Sequence, residues 1–338
     1  MRFTLIFVLL TSGCSQPGIQ KPIKPLRDFR GIIHCHSRFS HDSQGTYEEI
    51  LAAAKAAKVD FVCMTDHPPS GDKGKPLREG WTGIHDGVLF IQGAEYSDQI
   101  LALGIKEPIT GKDRRETIQA IHAQGGVAIA CHPEEIDDWD AYAEADGMEI
   151  YNVHATLKRK SKDKAFLLQV AKAVKEDPEH SFQLLQELDP VILKKWDECN
   201  AKRPFTGIAG NDAHQNVSFF GLQLDPYPRA FKFVSTHVLA EDLTEESILG
   251  ALKAGRCYVA FDIVSPASSN GPSPSPLPDA GRAPGQPHNW ATSVTICSDG
   301  TRSETVEDGF PPRVEDLGSR CRLELRVGDR PWAIFRVK

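Results

Sequence analysis

Short apolar runs alternate with amphipathic stretches along the first two thirds of the chain. Seven runs read as strands: Arg30–His36 (RGIIHCH), Asp60–His67 (DFVCMTDH), Val88–Tyr96 (VLFIQGAEY), Ile100–Ile105 (ILALGI), Gly126–His132 (GVAIACH), Gly147–Asn152 (GMEIYN) and Phe205–His214 (FTGIAGNDAH). Between them, Tyr47–Lys58 and Arg114–Gln124 carry apolar residues at helical spacing. Strands alternating with helices predict a parallel sheet with helices outside it. About seven such units predict closure into a barrel rather than an open sheet.

Residues 152–202 read as a helical insertion, broken at Pro178 and Pro190. Leu243–Gly255 reads as a helix with Thr244 as N-cap and Gly255 as its stop. Residues 265–289 are rich in Pro, Ser and Gly and predict a disordered linker. The short alternating runs of 290–338 predict a small β-rich tail rather than a full domain. The main domain is expected over residues 29–264.

The N-terminus has Arg2, an apolar run Phe3–Leu10 and then small residues before Cys14. That run is too short to span a bilayer and fits a signal-peptide core. Residues 1–14 are expected to be a bacterial lipoprotein signal, with Cys14 carrying the lipid, although Thr11 stands where leucine is usual. An ordinary cleaved signal and a retained anchor are the alternatives. Residues 15–28 read as a tether. The expected location is therefore periplasmic or cell-surface, anchored to the membrane.

A formal net charge of −7 argues against nucleic-acid binding by phosphate neutralisation. It suits a site that balances carboxylates with divalent cations. Export leaves seven cysteines after Cys14, an odd number. Cys35, Cys63 and Cys131 lie in apolar runs and read as inert small hydrophobes, with Cys35 facing away from its neighbours. Cys297 and Cys321 are the better disulfide candidates. Nothing in the sequence fixes the oligomeric state.

The candidate chemistry sits at the strand ends. His34 and His36 are two apart, so in a regular strand both imidazoles face the same way. The second run closes with Asp66 and His67, the third with Glu95, the fifth with His132, and the last with Asp212 and His214. In a parallel barrel these ends converge on one rim. Nearly all are nitrogen or oxygen donors suited to Zn, Mn or Fe. His85, His122, His180, His237 and His288 read as loop, helix or linker residues without a role in this chemistry. The absence of a GxSxG elbow argues against a serine hydrolase.

The ordered motifs HCHSRFSHDS, TDHPPS, GAEYS, CHPEE and GNDAHQ resemble those of the PHP (polymerase and histidinol phosphatase) superfamily, over about Gly31–Val264. The resemblance extends to the stand-alone bacterial branch, through the helix in ESILGALKAGRCYVAFD. It implies an α/β fold, a distorted (β/α)7 TIM-like barrel, and a cluster of two or three divalent ions (Zn, Mn or Fe). It also implies hydrolysis of a small-molecule phosphomonoester or phosphodiester by a metal-bridging hydroxide. By the same resemblance His34, His36, His67, Glu95, His132, Asp212 and His214 match metal ligands, and either His41 or Asp42 fills the remaining position. Glu95 is expected to bridge two ions. Asp66 is expected to orient a ligand or to protonate the leaving group, for which His214 is an alternative. Arg38 is either a phosphate contact or a solvated surface arginine. Three-metal members carry a histidine after the fourth strand, where Ile105 stands here; His154 is a substitute or a surface residue. Two rival functions share these residues: an amide, carbamate or ester hydrolase, and a non-catalytic lipid-anchored protein that binds metal or sugar.

Overall fold

Each apolar run folds as a strand, and in the computed structural model residues 24–68, 81–262, 291–297, 302–307, 321–327 and 330–336 are described. The expected signal peptide, most of the tether and the 265–289 linker lie outside these residues. The strands are β1 (Arg27–Cys35), β2 (Phe61–Met64), the short β3 (Gly83–His85), β4 (Val88–Ile91), β5 (Gly93–Tyr96), β6 (Ile100–Leu103), β7 (Val127–Ala130), β8 (Gly147–Asn152) and β9 (Thr206–Ala213). Helices α1 (Tyr47–Ala56) and α2 (Arg114–Ala123) fall within the two segments of helical period. Thr46 and Glu49 form a reciprocal capping box at the start of α1.

The result is a mixed α/β fold. β1 runs parallel to both β2 and β9, β2 to β4, β7 to β8, and β8 to β9. β4 passes through Gln92 into β5, where the Glu95 N–H donates to Thr65 O at 3.1 Å. β6 departs from the expected direction: it is antiparallel to both β5 and β7. Only residues 97–99 join β5 to β6, far short of the dozen or so that a parallel crossover needs. The C-terminal end of β6 therefore points to the opposite side of the sheet. Ile105 is buried there, away from the histidines, so the position compared with a fourth-strand ligand cannot reach them.

Alternate side chains feed two apolar layers. Ile33, Cys63, Ile91, Leu101, Ile129 and Ile208 meet one another on one face. Ile32, Val62, Phe90, Ala128 and Ile150 meet Ile50, Ala54, Ile118 and Ile121 on the other. Burial on both faces explains why the strands read as continuous apolar runs rather than alternating ones.

The insertion holds α3 (Val153–Lys160), α4 (Lys164–Glu176), a 3₁₀ turn over Ser181–Leu185, and α5 (Pro190–Lys202). α4 ends before Pro178. Pro190 does not break a helix but begins one: it is the first residue of α5, where its missing N–H has no intrahelical partner to lose. There follow β10 (Ser218–Phe219), β11 (Leu222–Gln223), α6 (Tyr227–Phe233), β12 (Ser235–Ala240), α7 (Glu245–Lys253) and β13 (Cys257–Ala260). Thr244 caps α7 by accepting from the Ser247 N–H, and Gly255 follows at φ 65°.

In the tail, β14 (Ala291–Cys297), β15 (Arg302–Glu307), β16 (Cys321–Val327) and β17 (Arg330–Arg336) continue the sheet through antiparallel pairing of β17 with β13. Arg322 bonds both Glu324 and Asp197 of α5, tying the tail to the insertion. Cys297 and Cys321 are register partners in β14 and β16; their side chains lie outside the described residues. Among the described residues no helix is long and apolar enough to cross a membrane.

Candidate metal centre

Three of the strand-end residues have left-handed backbones: His34 at φ 67°, His132 at φ 47° and Asp212 at φ 50°. Such conformations cost a non-glycine residue free energy and persist only where the surroundings enforce them. His132 also precedes Pro133, which disfavours this region further. His34 sits where the β1 register slips against both β2 and β9. The pairing of His34 with His36 is therefore not the simple alternation of a regular strand. A bulge re-aims His34, and the two rings come to 5.0 Å between centroids.

Glu149, on β8, holds this strained backbone. It is fully buried. One carboxylate oxygen accepts from His34 Nδ1–H at 2.6 Å and the other from the His132 N–H at 2.9 Å. Asn152 Nδ2 donates to Glu149 at 3.1 Å and to Asp212 at 3.4 Å. One glutamate and one asparagine thus reach all three strained residues. Neither carried a signal beyond a charge inside an apolar run.

The histidines share one orientation. His36 Nδ1 bonds Ser40 Oγ, His67 Nδ1 the Glu95 carbonyl, and His214 Nδ1 the Asp212 carbonyl. With Nδ1 donating outward, each Nε2 lone pair is aimed inward, as a metal ligand requires. The inward atoms gather on Glu95, whose carboxylate oxygens lie 2.9 Å from His34 Nε2, 3.1 Å from His36 Nε2, 3.1 Å from His132 Nε2 and 3.5 Å from His67 Nε2. Asp212 Oδ1 lies 3.2 Å from His34 Nε2. The choice between His41 and Asp42 is visible in the geometry. Asp42 Oδ2 is 3.3 Å from His214 Nε2 and 3.5 Å from His67 Nε2, whereas the His41 side chain is 71% exposed.

These atoms form three overlapping groups that could each hold an ion: His34, His36, Glu95 and Asp212; His36, Asp42, His67 and His214; and Glu95, Cys131 and His132. Bonds of 2.0–2.2 Å to one cation put neighbouring donors about 3.0–3.5 Å apart, the spacing seen here. His36 Nε2, Asp42 Oδ1 and Asp212 Oδ1 are buried without hydrogen-bond partners, a costly state that an ion relieves. The donor set fits divalent cations.

The electrostatics agree. Burial alone would lower the His34 pKa, yet Asp212, Glu95 and Glu149 hold it well above that of an ordinary histidine. Burial would likewise raise Glu95 and Asp212, but the surrounding histidines keep both carboxyls well below the usual range. Without cations, protons on imidazole must balance these carboxylates; cations replace those protons.

Asp66 lies behind the cluster. It accepts from the Ser37 N–H and from the hydroxyls of Ser37, Ser40 and Tyr47, and through Ser40 it braces His36. Buried in this way, Asp66 does not line the cavity above the cluster. Arg38 is exposed, its guanidinium 5.4 Å from the Phe39 ring, and it does not line the cavity above the cluster. That cavity, of about 450 Å³, is lined instead by Lys158, Arg159 and Lys162 beside His154, together with Glu134 and Glu135. The His154 ring is 4.9 Å from that of His214, and burial lowers its pKa. A basic run in the insertion (LKRKSK) was the available signal for this rim.

Cys131, read as an inert hydrophobe, brings Sγ to 3.6 Å from Glu95 Oε1. His237, placed in a loop or helix, is instead a buried residue of β12, between Asp28 and Asp262.

Residues 33–176 match the family model of the PHP domain. Over that segment the chain is similar to the PHP superfamily. An uncharacterised protein of Methanocaldococcus jannaschii is 29% identical over 143 residues, covering 36% of this chain and 81% of that protein. Among solved structures, a two-domain protein from Bacteroides vulgatus containing a predicted PHP-like metal-dependent phosphoesterase aligns with 94% of this chain and 98% of its own, at 13% identity and a TM-score of 0.45. A protein from Bifidobacterium adolescentis, described by inference as a metal-dependent phosphoesterase, aligns with 58% of this chain and 92% of its own, at 14% identity and a TM-score of 0.35.

Proposed function

We propose that the protein is a metal-dependent phosphoesterase acting on a small phosphomonoester or phosphodiester in the cavity above Glu95. The observation that carries this reading is the juxtaposition of the histidine–carboxylate cluster with the cationic rim of α3. Two or three divalent ions would be held by His34, His36, Asp42, His67, Glu95, His132, Asp212 and His214. Bound there, such ions neutralise phosphoryl oxygens and acidify the attacking water.

The chain's own residues do the rest. Glu149 and Asn152 fix the strained ligands, and Ser40, backed by Asp66, fixes His36. Lys158 and Lys162 draw an anionic substrate toward the cavity mouth. His154, kept neutral by burial, stands beside the reacting centre as a proton acceptor.

The pairings support reading β1, β2, β4–β5, β6, β7, β8 and β9 as a distorted seven-stranded barrel, joined between β2 and β5 by the bond from Glu95 to Thr65. The pattern of Arg2, Phe3–Leu10 and Cys14 supports export and lipid anchoring, tested by labelled fatty-acid incorporation in the protein and in Cys14→Ala.

The cationic rim favours an anionic ester over a carbamate or amide. The test is turnover of an aryl phosphate, an aryl phosphodiester and an aryl carbamate by the zinc- or manganese-loaded protein. Phosphoester turnover is expected; turnover of the carbamate alone, or of none, overturns the assignment.

A further inference from the structure

We propose that Cys131 is a sulfur ligand of the ion held by Glu95 and His132, making that position selective for thiophilic cations. This rests on the metal-centre reading above and extends it to a residue outside the histidine–carboxylate set.

Three apolar runs end near a cysteine: Cys35 on β1, Cys63 on β2 and Cys131 just past β7. All three are fully buried, and a buried thiol ordinarily packs as a small hydrophobe. Among the described residues only Cys131 lies among candidate ligand atoms, within one group with Glu95 and His132. Its Sγ is 3.6 Å from Glu95 Oε1, and His132 Nε2 is 3.1 Å from the same oxygen. A tetrahedral cation with a 2.3 Å bond to sulfur and a bond of about 2.1 Å to oxygen separates those donors by about 3.6 Å.

Consecutive residues of a strand point to opposite faces, so Cys131 and His132 would not ordinarily share an ion. The left-handed turn at His132 removes that obstacle. Cys131 still donates its N–H to Gln99 O at 3.0 Å and packs in the layer of Ile33 and Ile129, beneath Glu95. His132 then turns its ring over the same carboxylate. Asp212 closes the position: it is buried, its Oδ1 lacks a hydrogen-bond partner, and its Oδ2 is 3.6 Å from His132 Nε2. On binding, the S–H bond breaks, its electron pair forms the sulfur–metal bond, and the proton leaves to solvent. Thiolate favours zinc, iron(II) and cobalt(II) over manganese or magnesium.

The test loads the full chain with cobalt(II), measures bound cobalt by elemental analysis and records the near-ultraviolet spectrum. Bound cobalt with a sulfur-to-cobalt charge-transfer band is expected. The band should vanish in Cys131→Ala and Cys131→Ser and persist in Cys199→Ala. The zinc-over-manganese preference should fall on the order of tenfold in Cys131→Ala. Bound cobalt without the band in the wild-type chain, or a band that survives both Cys131 variants, overturns the sulfur ligand while leaving the metal centre intact. No bound cobalt overturns both.

Discussion

Glu149 Oε1 accepts the Nδ1–H of His34 at 2.6 Å, and the same carboxylate grips the His132 backbone through its other oxygen. A single buried side chain thereby fixes both the tautomer of one candidate ligand and the strained backbone of another. In Glu149→Gln the amide nitrogen must face one of these two donors, so one of the bonds is lost. Metal affinity should fall about 10–100-fold, the usual cost of removing a partner that orients a ligand. Competition with a chelator measures it, and an unchanged affinity would remove Glu149 from this role.

Gly210 on β9 exists to make room for that carboxylate. A Cβ placed there would lie 1.8 Å from Glu149 Oε1. Gly210→Ala should push Glu149 off His34, lowering stability by about 1–3 kcal/mol and weakening metal binding with it. Thermal unfolding with and without added zinc separates the two effects. An alanine variant as stable and as metal-tight as the parent would show that the carboxylate can move without consequence.

Lys158 and Lys162 line the cavity mouth from exposed positions. Their replacement by alanine should raise KM for an anionic substrate about 2–5-fold per residue, with kcat little changed, because exposed charges are worth roughly 0.5–1 kcal/mol each. The effect should shrink as salt is added. Steady-state kinetics at two ionic strengths check this; a fall in kcat at constant KM would place these lysines in the chemistry instead.

Much of this centre was legible because ligand chemistry dictates residue types at strand ends. Histidine pairs, TDH, CHP and GNDAH stand out against apolar runs, and the strands β1, β2, β7 and β9 fall on those runs. Other features left no such mark. A four-residue run such as β6 does not record its direction; the short link over residues 97–99 was the only clue to the hairpin. Glu149 looked like one more position in GMEIYN, since a buried carboxylate that orients a ligand needs no motif. His41 and Asp42 differ by one position, and only the fold shows which turns inward. The rim of α3 depends on where the insertion docks, which spacing along the chain does not encode.

A second buried ionic network lies away from the metal centre and gives a pH signature. His237 donates toward Asp28 and Asp262, with Arg30 on Asp262 and the Tyr258 hydroxyl on Asp28. Burial alone would lower its pKa, but Asp262 and Asp28 push it up to about 9, against 6.5 for an ordinary histidine. A raised folded-state pKa contributes stability that is complete below pH about 6.5 and is lost as pH rises through about 9. The contribution is about 3 kcal/mol at most. The Tm gap between the parent and His237→Gln should therefore be widest near neutral and acidic pH and close on the alkaline side. A gap that stays constant from about pH 6 to pH 10 would mean that His237 is not charged in the folded protein.

Glu95 would hold more than one of the ions, since four histidine Nε2 atoms surround its carboxylate. Elemental analysis of the purified chain beside Glu95→Ala, with folding of both confirmed by circular dichroism, tests it most directly. Two or three divalent ions per chain are expected in the parent, and at least one fewer in the variant. A parent without bound metal, or a folded Glu95→Ala chain with the same metal content as the parent, would contradict it.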